Sequence, residues 1–411
     1  MNLTRFANGF SSTFWVANTL ELFERLAFYG SKAVLLIFLL KKVGLEDAGK
    51  LTGMYTGLVF ALPIVAGVFV DRYGFKKTLI ACFAIFGIGY FLIGLAGMEF
   101  SQEMIGVIGK KNYVMAVLIL TACGGSLIKP CIVGTVSRTT TPENRPIGFS
   151  IYYTLVNLGG TLGPMLALPI RENVGIEYVL IMSSVTSFLL CIGAWIFFKE
   201  PPGVEEPKTF GIVLRDMLLV FGNIPFISFL VIFSGFWLMF WQIFLLLPVY
   251  GTDVLNFSRF EILESIGPFC IILLTVPMAA LVRKWKPITA MTLGFILASM
   301  SWLIIGTWPT VTATIIGLAL FAVGEATQAP RFYDYVSSLA PRDQVGTFMG
   351  FAFLPVAIGA FTAGFIADWL RVTYLQTDPS TMWYIVAGIG LVSTILMMLY
   401  NVFISRHVKP A

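Results

Sequence analysis

Charged residues are scarce in this 411-residue chain, where they make up 12 % of the sequence. Soluble domains carry about a quarter, so this shortage, together with 57 % hydrophobic residues, excludes an ordinary soluble domain. Histidine occurs once, at His407. The apolar segments therefore contain no imidazole that could titrate near neutral pH. If protons drive this protein, carboxylates must carry them.

Sequence patterns for catalysis and metal binding are missing as well. There is no HExxH motif, no Ser/His pairing and no phosphate-binding glycine loop. The cysteines all lie in apolar segments without a CxxC pair, so we expect buried thiols rather than a metal site or a disulfide framework. They are Cys82, Cys123, Cys131, Cys191 and Cys270. We therefore expect neither an enzyme nor a bound cofactor.

Long apolar runs dominate the chain, and about twelve are long enough to cross a bilayer. They lie near 13–40, 50–70, 76–97, 112–137, 146–170, 175–198, 225–250, 261–283, 287–308, 311–338, 344–370 and 381–404. We predict an all-α membrane protein with about 12 transmembrane helices. The distribution of Lys and Arg between the loops predicts that both termini are cytoplasmic, in an inner or plasma membrane. Topology thus accounts for the net charge of +5, and no nucleic-acid partner is needed.

The most polar segment, KEPPGVEEPK from Lys199 to Lys208, separates six apolar runs from the other six. We predict an N-terminal six-helix half over 1–200, a cytoplasmic linker over 201–224 and a C-terminal six-helix half over 225–411. The linker is expected to include an amphipathic helix. Such a chain matches transporters built from two repeats, which bind substrate near the bilayer midplane. The oligomeric state is open, with a functional monomer expected.

The first apolar run contains four ionisable residues, Glu21, Glu24, Arg25 and Lys32. Each costs several kcal/mol in hydrocarbon unless it is paired or lines a wet cavity. Glu21 and Arg25 are four residues apart, and Arg25 and Lys32 are seven apart, so these three share one helical stripe with Glu24 beside it. The stripe must therefore face other helices or a polar path through the protein.

Two further ionisable residues lie within spans, Lys129 in the fourth run and Glu325 in the tenth. One interpretation is a set of static salt bridges, but buried pairs stabilise less well than apolar packing. The favoured interpretation is a gated, water-filled path in which pairs form and break. Because a nearby cation lowers a carboxylate pKa and desolvation raises it, a buried Glu that loses its Lys or Arg partner would bind a proton. Protonation of Glu21 or Glu24 would in turn release Lys129 or Arg25, and the helices would move.

The end of the second run has the spacing G-x-x-x-D-R-x-G followed by two lysines. This pattern resembles the signature loop of the major facilitator superfamily. The resemblance implies a conformational latch, not a substrate contact, for four residues: Gly67, Asp71, Arg72 and Gly74.

Four segments resemble the proton-dependent oligopeptide transporters of that superfamily. They are Glu21–Gly30, similar to ExxERFxYYG; Gly124–Pro130, similar to GGxKP; Asn157 with Gly159; and Gly324–Pro330. These segments span both predicted halves. The resemblance implies the major facilitator fold and proton-coupled uptake of di- and tripeptides by alternating access. The partners would be a small zwitterionic substrate, protons and the lipid bilayer.

The same resemblance implies residue roles. Proton coupling would involve Glu21, Glu24, Arg25 and Lys129. The substrate carboxylate would bind Arg25, Lys32 and Lys129, and the substrate ammonium would bind Glu325. Further residues expected to line the site, although aromatic residues equally often serve in packing, are Tyr29, Tyr153, Asn157, Trp237 and Gln242.

The chain also departs from the family. Its linker is too short for the two extra helices common in bacterial members, and Phe236–Gln242 has no carboxylate where the family often carries one. A carrier or exporter of another small anion, zwitterion or drug is therefore an open alternative. A non-transporting sensor or an intramembrane enzyme has no supporting motif. An ion channel is less favoured, because balanced buried charges suit alternating access. Transport direction, proton stoichiometry and the proton-carrying glutamate are open.

Overall fold

The structure, a computed structural model, describes residues 9–202, 210–340 and 345–405. Within these ranges the chain is helical and has no β-strand, which confirms the all-α fold class. Nine helices of this part are long and apolar enough to cross a membrane, and one bent pair of helices also qualifies. The two remaining predicted spans are helices of 26 and 29 residues, or about 39 and 43 Å, longer than a hydrocarbon core of about 30 Å.

Contacts divide the chain into two compact units. Unit 1 comprises Met1–Leu45 and Leu62–Val213, and unit 2 comprises Glu46–Ala61 and Leu214–Ala411. The helix Ala48–Ala61 is therefore grouped with unit 2, although it lies among the first six spans of the sequence. The two six-helix halves at 1–200 and 225–411 stay a prediction.

The helices of unit 1 are α1 Ser12–Ile37, continued by a π-helix at Phe38–Val43, α3 Pro63–Tyr73, α4 Phe75–Leu95, α5 Gln102–Ile108, α6 Lys110–Ser126, α7 Ile128–Arg138, α8 Arg145–Asn173 and α9 Ile176–Phe197. Helix α1 packs against α8 and α9, while α4 packs against α6 and α9. Helix α10, Phe210–Phe221, crosses the boundary between the units.

The helices of unit 2 are α2 Ala48–Ala61, α11 Ile224–Leu245, α12 Leu247–Asp253, α13 Phe260–Val282, α14 Pro287–Thr307, α15 Val311–Leu339, α16 Val345–Gly350, α17 Leu354–Tyr374 and α18 Pro379–Tyr400, followed by a π-helix at Asn401–Ser405. Helices α2 and α11 pack against α17, and α14 packs against both α15 and α18.

Prolines break three of the predicted spans. The ring of Pro130 would clash with the carbonyl of Ser126 in a continuous helix, and α6 ends at Ser126. Pro63 begins α3, and Pro248 lies in the first turn of α12, positions where proline is tolerated.

The predicted amphipathic helix of the linker corresponds to α10, and its position on a membrane surface stays a prediction. Residues 203–209 of the linker and His407 lie outside the described residues.

Candidate functional site

Helix α1 carries a cluster of ionisable side chains near its middle. The Ser11 side chain accepts a hydrogen bond from the Phe14 N–H and so caps the start of this helix. Glu21, Glu24 and Arg25 follow within the helix and are 0 %, 2 % and 3 % exposed. The protein therefore encloses these charges, as the position of the stripe predicts.

The cluster is an ion-pair network that reaches α7. The Arg25 Nε contacts Glu24 Oε2 and lies 3.5 Å from Glu21 Oε1. The Arg25 guanidinium also lies over the Phe28 ring, 4.6 Å from its centroid. From α7, Lys129 Nζ lies 3.6 Å from the same Glu21 oxygen. The structure thus brings together the four residues predicted for proton coupling, with Glu21 between two cations.

A tyrosine that sequence reasoning did not select completes this network. Lys129 Nζ donates a hydrogen bond of 2.6 Å to the Tyr152 hydroxyl. Its neighbour Tyr153, which is predicted to line the substrate site, is 37 % exposed, and that role stays a prediction. Tyr152 lies seven residues before Gly159 and eleven before Gly163, so it shares their face of α8. That shared face is the sequence signal that could have identified Tyr152.

The two glycines allow α8 to approach the backbone of α1 closely. A Cβ on Gly159 would collide with the Arg25 Cβ, and a Cβ on Gly163 would lie 2.8 Å from the Leu26 carbonyl oxygen. Small residues permit such backbone approach between membrane helices. The contact fixes Arg25 against α8, and with it the position of its guanidinium beside the two glutamates.

One carboxylate oxygen of the cluster has no hydrogen-bond partner. Glu24 Oε1 accepts no hydrogen bond from the part of the chain that the structure describes. Buried polar atoms usually have such a partner. The network therefore combines ion pairs and hydrogen bonds with one carboxylate oxygen that can accept a proton.

The other predicted residues of unit 1 lie around the network. Lys32 is buried and, seven residues after Arg25, shares its face of α1. Tyr29 is half-buried, with its ring edge-on to Phe28 at 5.3 Å. Asn157 is half-buried, and its amide donates to the Tyr153 carbonyl at 2.9 Å. Their contact with substrate stays a prediction.

The signature loop contains a helix cap supplied from a distant part of unit 1. Gly74 has φ of +84°, a region that favours glycine, and it precedes α4 without a side chain to cap that helix. The Glu200 carboxylate instead accepts hydrogen bonds from the Phe75 and Lys76 N–H groups, at 2.6 and 2.9 Å. The sequence analysis did not select Glu200. The one sequence feature that pointed to a distant cap was the lack of a capping side chain at the start of α4.

The other residues of the signature loop are at least partly exposed. A Cβ on Gly67 would meet no atom within 4 Å among the described residues. Asp71 and Arg72 are exposed, and the Arg72 guanidinium lies over the Tyr73 ring at 5.5 Å. A latch function for this loop stays a prediction.

In unit 2, Glu325 is a half-buried carboxylate of α15. It makes no hydrogen bond or ion pair with another residue of the described ranges. Phe321, one turn earlier, packs against Phe236 at 5.1 Å and Phe240 at 6.2 Å. Glu325 therefore lies next to an aromatic surface and, unlike Glu21, has no cation paired with it.

The two predicted residues of α11 differ in their surroundings. Trp237 is half-buried and packs edge-on against Phe240 at 5.1 Å. Gln242 is buried and donates to the Leu238 carbonyl of its own helix at 3.3 Å. Sequence reasoning did not select Glu261 and Glu264, which are both buried in the first turns of α13. They fall at the edge of an apolar run, where carboxylates usually reach solvent.

Helix α2 is capped by a carboxylate of α17 within unit 2. Asp368 accepts hydrogen bonds from the N–H groups of Gly49 and Lys50, at 2.9 and 2.8 Å. Arg371, three residues later, donates to the Glu46 carbonyl at 2.6 Å. Asp368 thus does for α2 what Glu200 does for α4 in unit 1.

Two smaller features concern an ion pair and the cysteines. Arg331 and Asp334, three residues apart on α15, form a local ion pair at 2.6 Å. The cysteines are free, with Cys82 and Cys131 buried, but Cys123 is exposed, so the expectation of five buried thiols is wrong at that position. Within the described ranges, no group of three His, Cys, Asp or Glu side chains could hold a metal ion.

Known proteins resemble the chain over most of its length. It is 22 % identical to "Dipeptide and tripeptide permease A" of Enterobacter sp. (strain 638), covering 89 % of this chain and 85 % of the permease. It is 23 % identical to "Multidrug resistance protein MdtH" of Sodalis glossinidius (strain morsitans), covering 85 % of this chain and 83 % of that protein. A solved structure of the peptide transporter POT in complex with sulfate matches with a TM-score of 0.79 at 19 % identity, over 99 % of both chains.

These similarities confirm the predicted resemblance to the peptide-transporter branch and the major facilitator fold. The family model described as Major Facilitator Superfamily matches residues 20–364, a range that includes the ion-pair network, the signature loop and Glu325. The chain is therefore an integral membrane protein of a transporter superfamily. It belongs to the Major Facilitator Superfamily.

Proposed function

We propose that this protein is a proton-coupled secondary active transporter of small zwitterionic solutes, with di- and tripeptides as the first substrates to test. The observation that carries the proposal is the buried network of Glu21, Glu24, Arg25 and Lys129. Purely apolar packing would stabilise a helix bundle better than such a network does. Its retention in the middle of a span is better explained by function.

The network can couple a proton to movement of α1 and α7. Glu21 pairs with Arg25 and Lys129, so protonation of Glu21 would release Lys129, while Arg25 keeps its contact with Glu24. Among these cations Glu24 contacts Arg25 alone, and its protonation would leave Arg25 with the longer pair to Glu21 and leave Lys129 unchanged. Either event weakens the hold on a cation that can then bind a substrate carboxylate. Which glutamate carries the proton is left to experiment.

The substrate groups follow from the charges available in each unit. In unit 1 the cations within the predicted spans near the network are Arg25, Lys32 and Lys129, and these would bind a carboxylate. In unit 2, Glu325 has no cation paired with it among the described residues and would bind an ammonium group. Side chains proposed to line the substrate are Tyr29, Tyr153, Asn157, Trp237 and Gln242. The similarity to the dipeptide and tripeptide permease and to the POT structure supports a peptide as the zwitterion.

The test is uptake of labelled di-alanine into proteoliposomes with and without an inward proton gradient. The proposal predicts accumulation that depends on the gradient, and weaker substrate binding in Glu325→Gln. A matched control is Glu103→Gln, an exposed carboxylate of α5. Uptake that ignores the gradient, or equal loss in both variants, would contradict the proposal.

A second candidate is a carrier or exporter of another small anion, zwitterion or drug. It is favoured by the similarity to the multidrug resistance protein and by α11, which has aromatic residues and no carboxylate at Phe236–Gln242. Competition of a panel of peptides, organic anions and lipophilic amines against di-alanine uptake separates the candidates. A proton-driven response to lipophilic amines alone would favour this second function.

Further proposals concern topology. We place both termini on the cytoplasmic side of an inner or plasma membrane, because the basic residues are more frequent in the loops on that side. The functional unit would be a monomer with two six-helix halves, 1–200 and 225–411. The latch residues would be Gly67, Asp71, Arg72 and Gly74. Labelling of single cysteines placed in the α9–α10 and α13–α14 loops tests this orientation, because both should react only from the cytoplasmic side.

A further inference from the structure

A groove on the surface of unit 2 lies between α14 and the end of α18, with a volume of about 350 Å³. One wall is the α14 face with Ile288, Thr292 and Ile296, and the other comprises Met398, Asn401 and Val402. The α14 residues recur every four positions, so they form one stripe about 12 Å long. Both α14 and α18 qualify as membrane spans, which makes lipid the surrounding medium of this groove.

The groove is mostly apolar along its length. The Thr292 hydroxyl donates to the Ile288 carbonyl at 2.8 Å, so its hydrogen-bonding capacity is largely used within α14. Met398 and Val402 are 47 % and 44 % exposed, and their outer surfaces would otherwise face lipid without packing. Such a channel between two spans has the form that an acyl chain fills.

Three cations lie on the turn that leads into α14. Arg283, Lys284 and Lys286 are all exposed, and Lys286 is two residues before Ile288 of the groove. The turn is fixed in place, because the Arg331 guanidinium donates to the Trp285 carbonyl at 2.5 Å.

One carboxylate, Asp334, is known to lie near this turn, and Arg331 already pairs with it at 2.6 Å. The three cations of the turn therefore give this end of the groove a net positive charge.

We propose that the groove and the basic turn together bind one anionic phospholipid. Lys284 and Lys286 would contact its phosphate, and an acyl chain would lie along the α14 stripe toward Ile296. Basic residues beside transmembrane helices attract anionic lipids of the cytoplasmic leaflet, the side on which the positive-inside rule places this turn. The site is independent of the proposed transport function.

The test is native mass spectrometry of the full-length protein in detergent, titrated with dioleoyl phosphatidylglycerol or dioleoyl phosphatidylethanolamine. We expect the anionic lipid to bind more tightly. Lys284→Gln with Lys286→Gln should weaken that binding roughly tenfold or more, at about 1 kcal/mol per cation. Lys76→Gln with Lys77→Gln, in the first turn of α4 in unit 1, removes the same charge and should change the affinity less than about twofold.

A groove-filling variant separates a lipid from a free phosphate. Thr292→Trp keeps every charge and should displace the long-chain lipid. Glycerol 3-phosphate, which has no acyl chain, should bind the wild type and this variant equally weakly. Equal affinity for the two lipids, no effect of the Lys284/Lys286 pair, or competition by glycerol 3-phosphate at lipid-like concentrations would overturn the proposal. Should Thr292→Trp fail to fold, the lipid affinity of the Lys284→Gln, Lys286→Gln variant still tests the proposal, because both lysines are exposed.

Discussion

The acidic residues of the two units differ in their partners, although both occur within membrane spans. In unit 1, Glu21 and Glu24 are fully enclosed and contact Arg25, and Glu21 also pairs with Lys129. In unit 2, Glu325 is half-buried beside Phe321 and has no cation among the described residues. Removing one partner of a buried pair leaves the other charge buried without compensation, whereas removing a lone charge leaves no such charge behind.

This difference supports the separate roles proposed above for the two units. A paired carboxylate can exchange a cation for a proton and so change the contacts between helices. A lone carboxylate next to aromatic rings has nothing to release, and it can bind an incoming cation. Unit 1 is thus suited to coupling and unit 2 to recognition of a substrate ammonium group.

The largest expected effect comes from breaking the paired cluster. Arg25→Met leaves Glu21 and Glu24 without their shared guanidinium and should destabilise the protein by about 3–5 kcal/mol, measured by thermal unfolding in detergent. Lys42→Met is the matched control, because Lys42 is 41 % exposed and pairs with Glu177 at 3.1 Å. An exposed pair contributes less than about 1 kcal/mol. Similar losses in both variants would remove the distinction between buried and exposed pairs.

The lone carboxylate should respond in the opposite direction. Glu325→Gln removes a half-buried charge and leaves no cation unpaired, so at neutral pH it should leave the free energy of unfolding unchanged or raise it by up to about 2 kcal/mol. Glu24→Gln, measured in the same way, should lower it. Equal destabilisation by the two substitutions would show that Glu325 has a partner as important as Arg25.

The two carboxylates that cap helices extend the comparison. Asp368→Ala should cost about 1–2 kcal/mol, because it leaves two N–H groups of α2 without acceptors. Glu200→Ala should cost less, since Glu200 is exposed and water can replace it at the start of α4. Thermal unfolding of both alanine variants measures the difference. Asp368→Asn and Glu200→Gln retain one acceptor and should each show about half the loss; a larger effect at Glu200 would contradict this order.

The smallest effect is expected at Tyr152. Tyr152→Phe removes the hydroxyl that accepts from Lys129 and should lower stability by about 1 kcal/mol or less. Tyr153→Phe, at the neighbouring and more exposed position, should cost less. A larger loss in Tyr153→Phe than in Tyr152→Phe would contradict the stabilising role of the Lys129–Tyr152 hydrogen bond.

Much of this molecule could be predicted because membrane spans leave a strong compositional signal. The charged stripe of α1 was recognisable because Glu21, Arg25 and Lys32 recur at helical spacing in an apolar run. The break between α6 and α7 follows from Pro130 and the carbonyl of Ser126. These features are local, so the sequence of one segment is sufficient to predict them.

Features that depend on contacts between distant segments were missed. Tyr152 and Tyr153 are chemically identical, and only the face of α8 that packs on α1 distinguishes them. Glu200 caps α4 from 124 residues away; the uncapped start of α4 indicates that a cap is needed but not which residue supplies it. The packing of α2 on α17 in unit 2 likewise includes a contact with a distant segment, the cap that Asp368 provides, which neither segment predicts alone.

The most direct test of proton coupling through the α1 cluster compares accumulation with exchange in Glu24→Gln proteoliposomes. Accumulation of labelled di-alanine driven by a proton gradient needs a group that gains and loses a proton, whereas exchange of internal for external di-alanine needs only binding and movement. We expect Glu24→Gln to lose accumulation while exchange stays near the wild-type rate. Accumulation at the wild-type level would contradict the assignment of Glu24 to coupling.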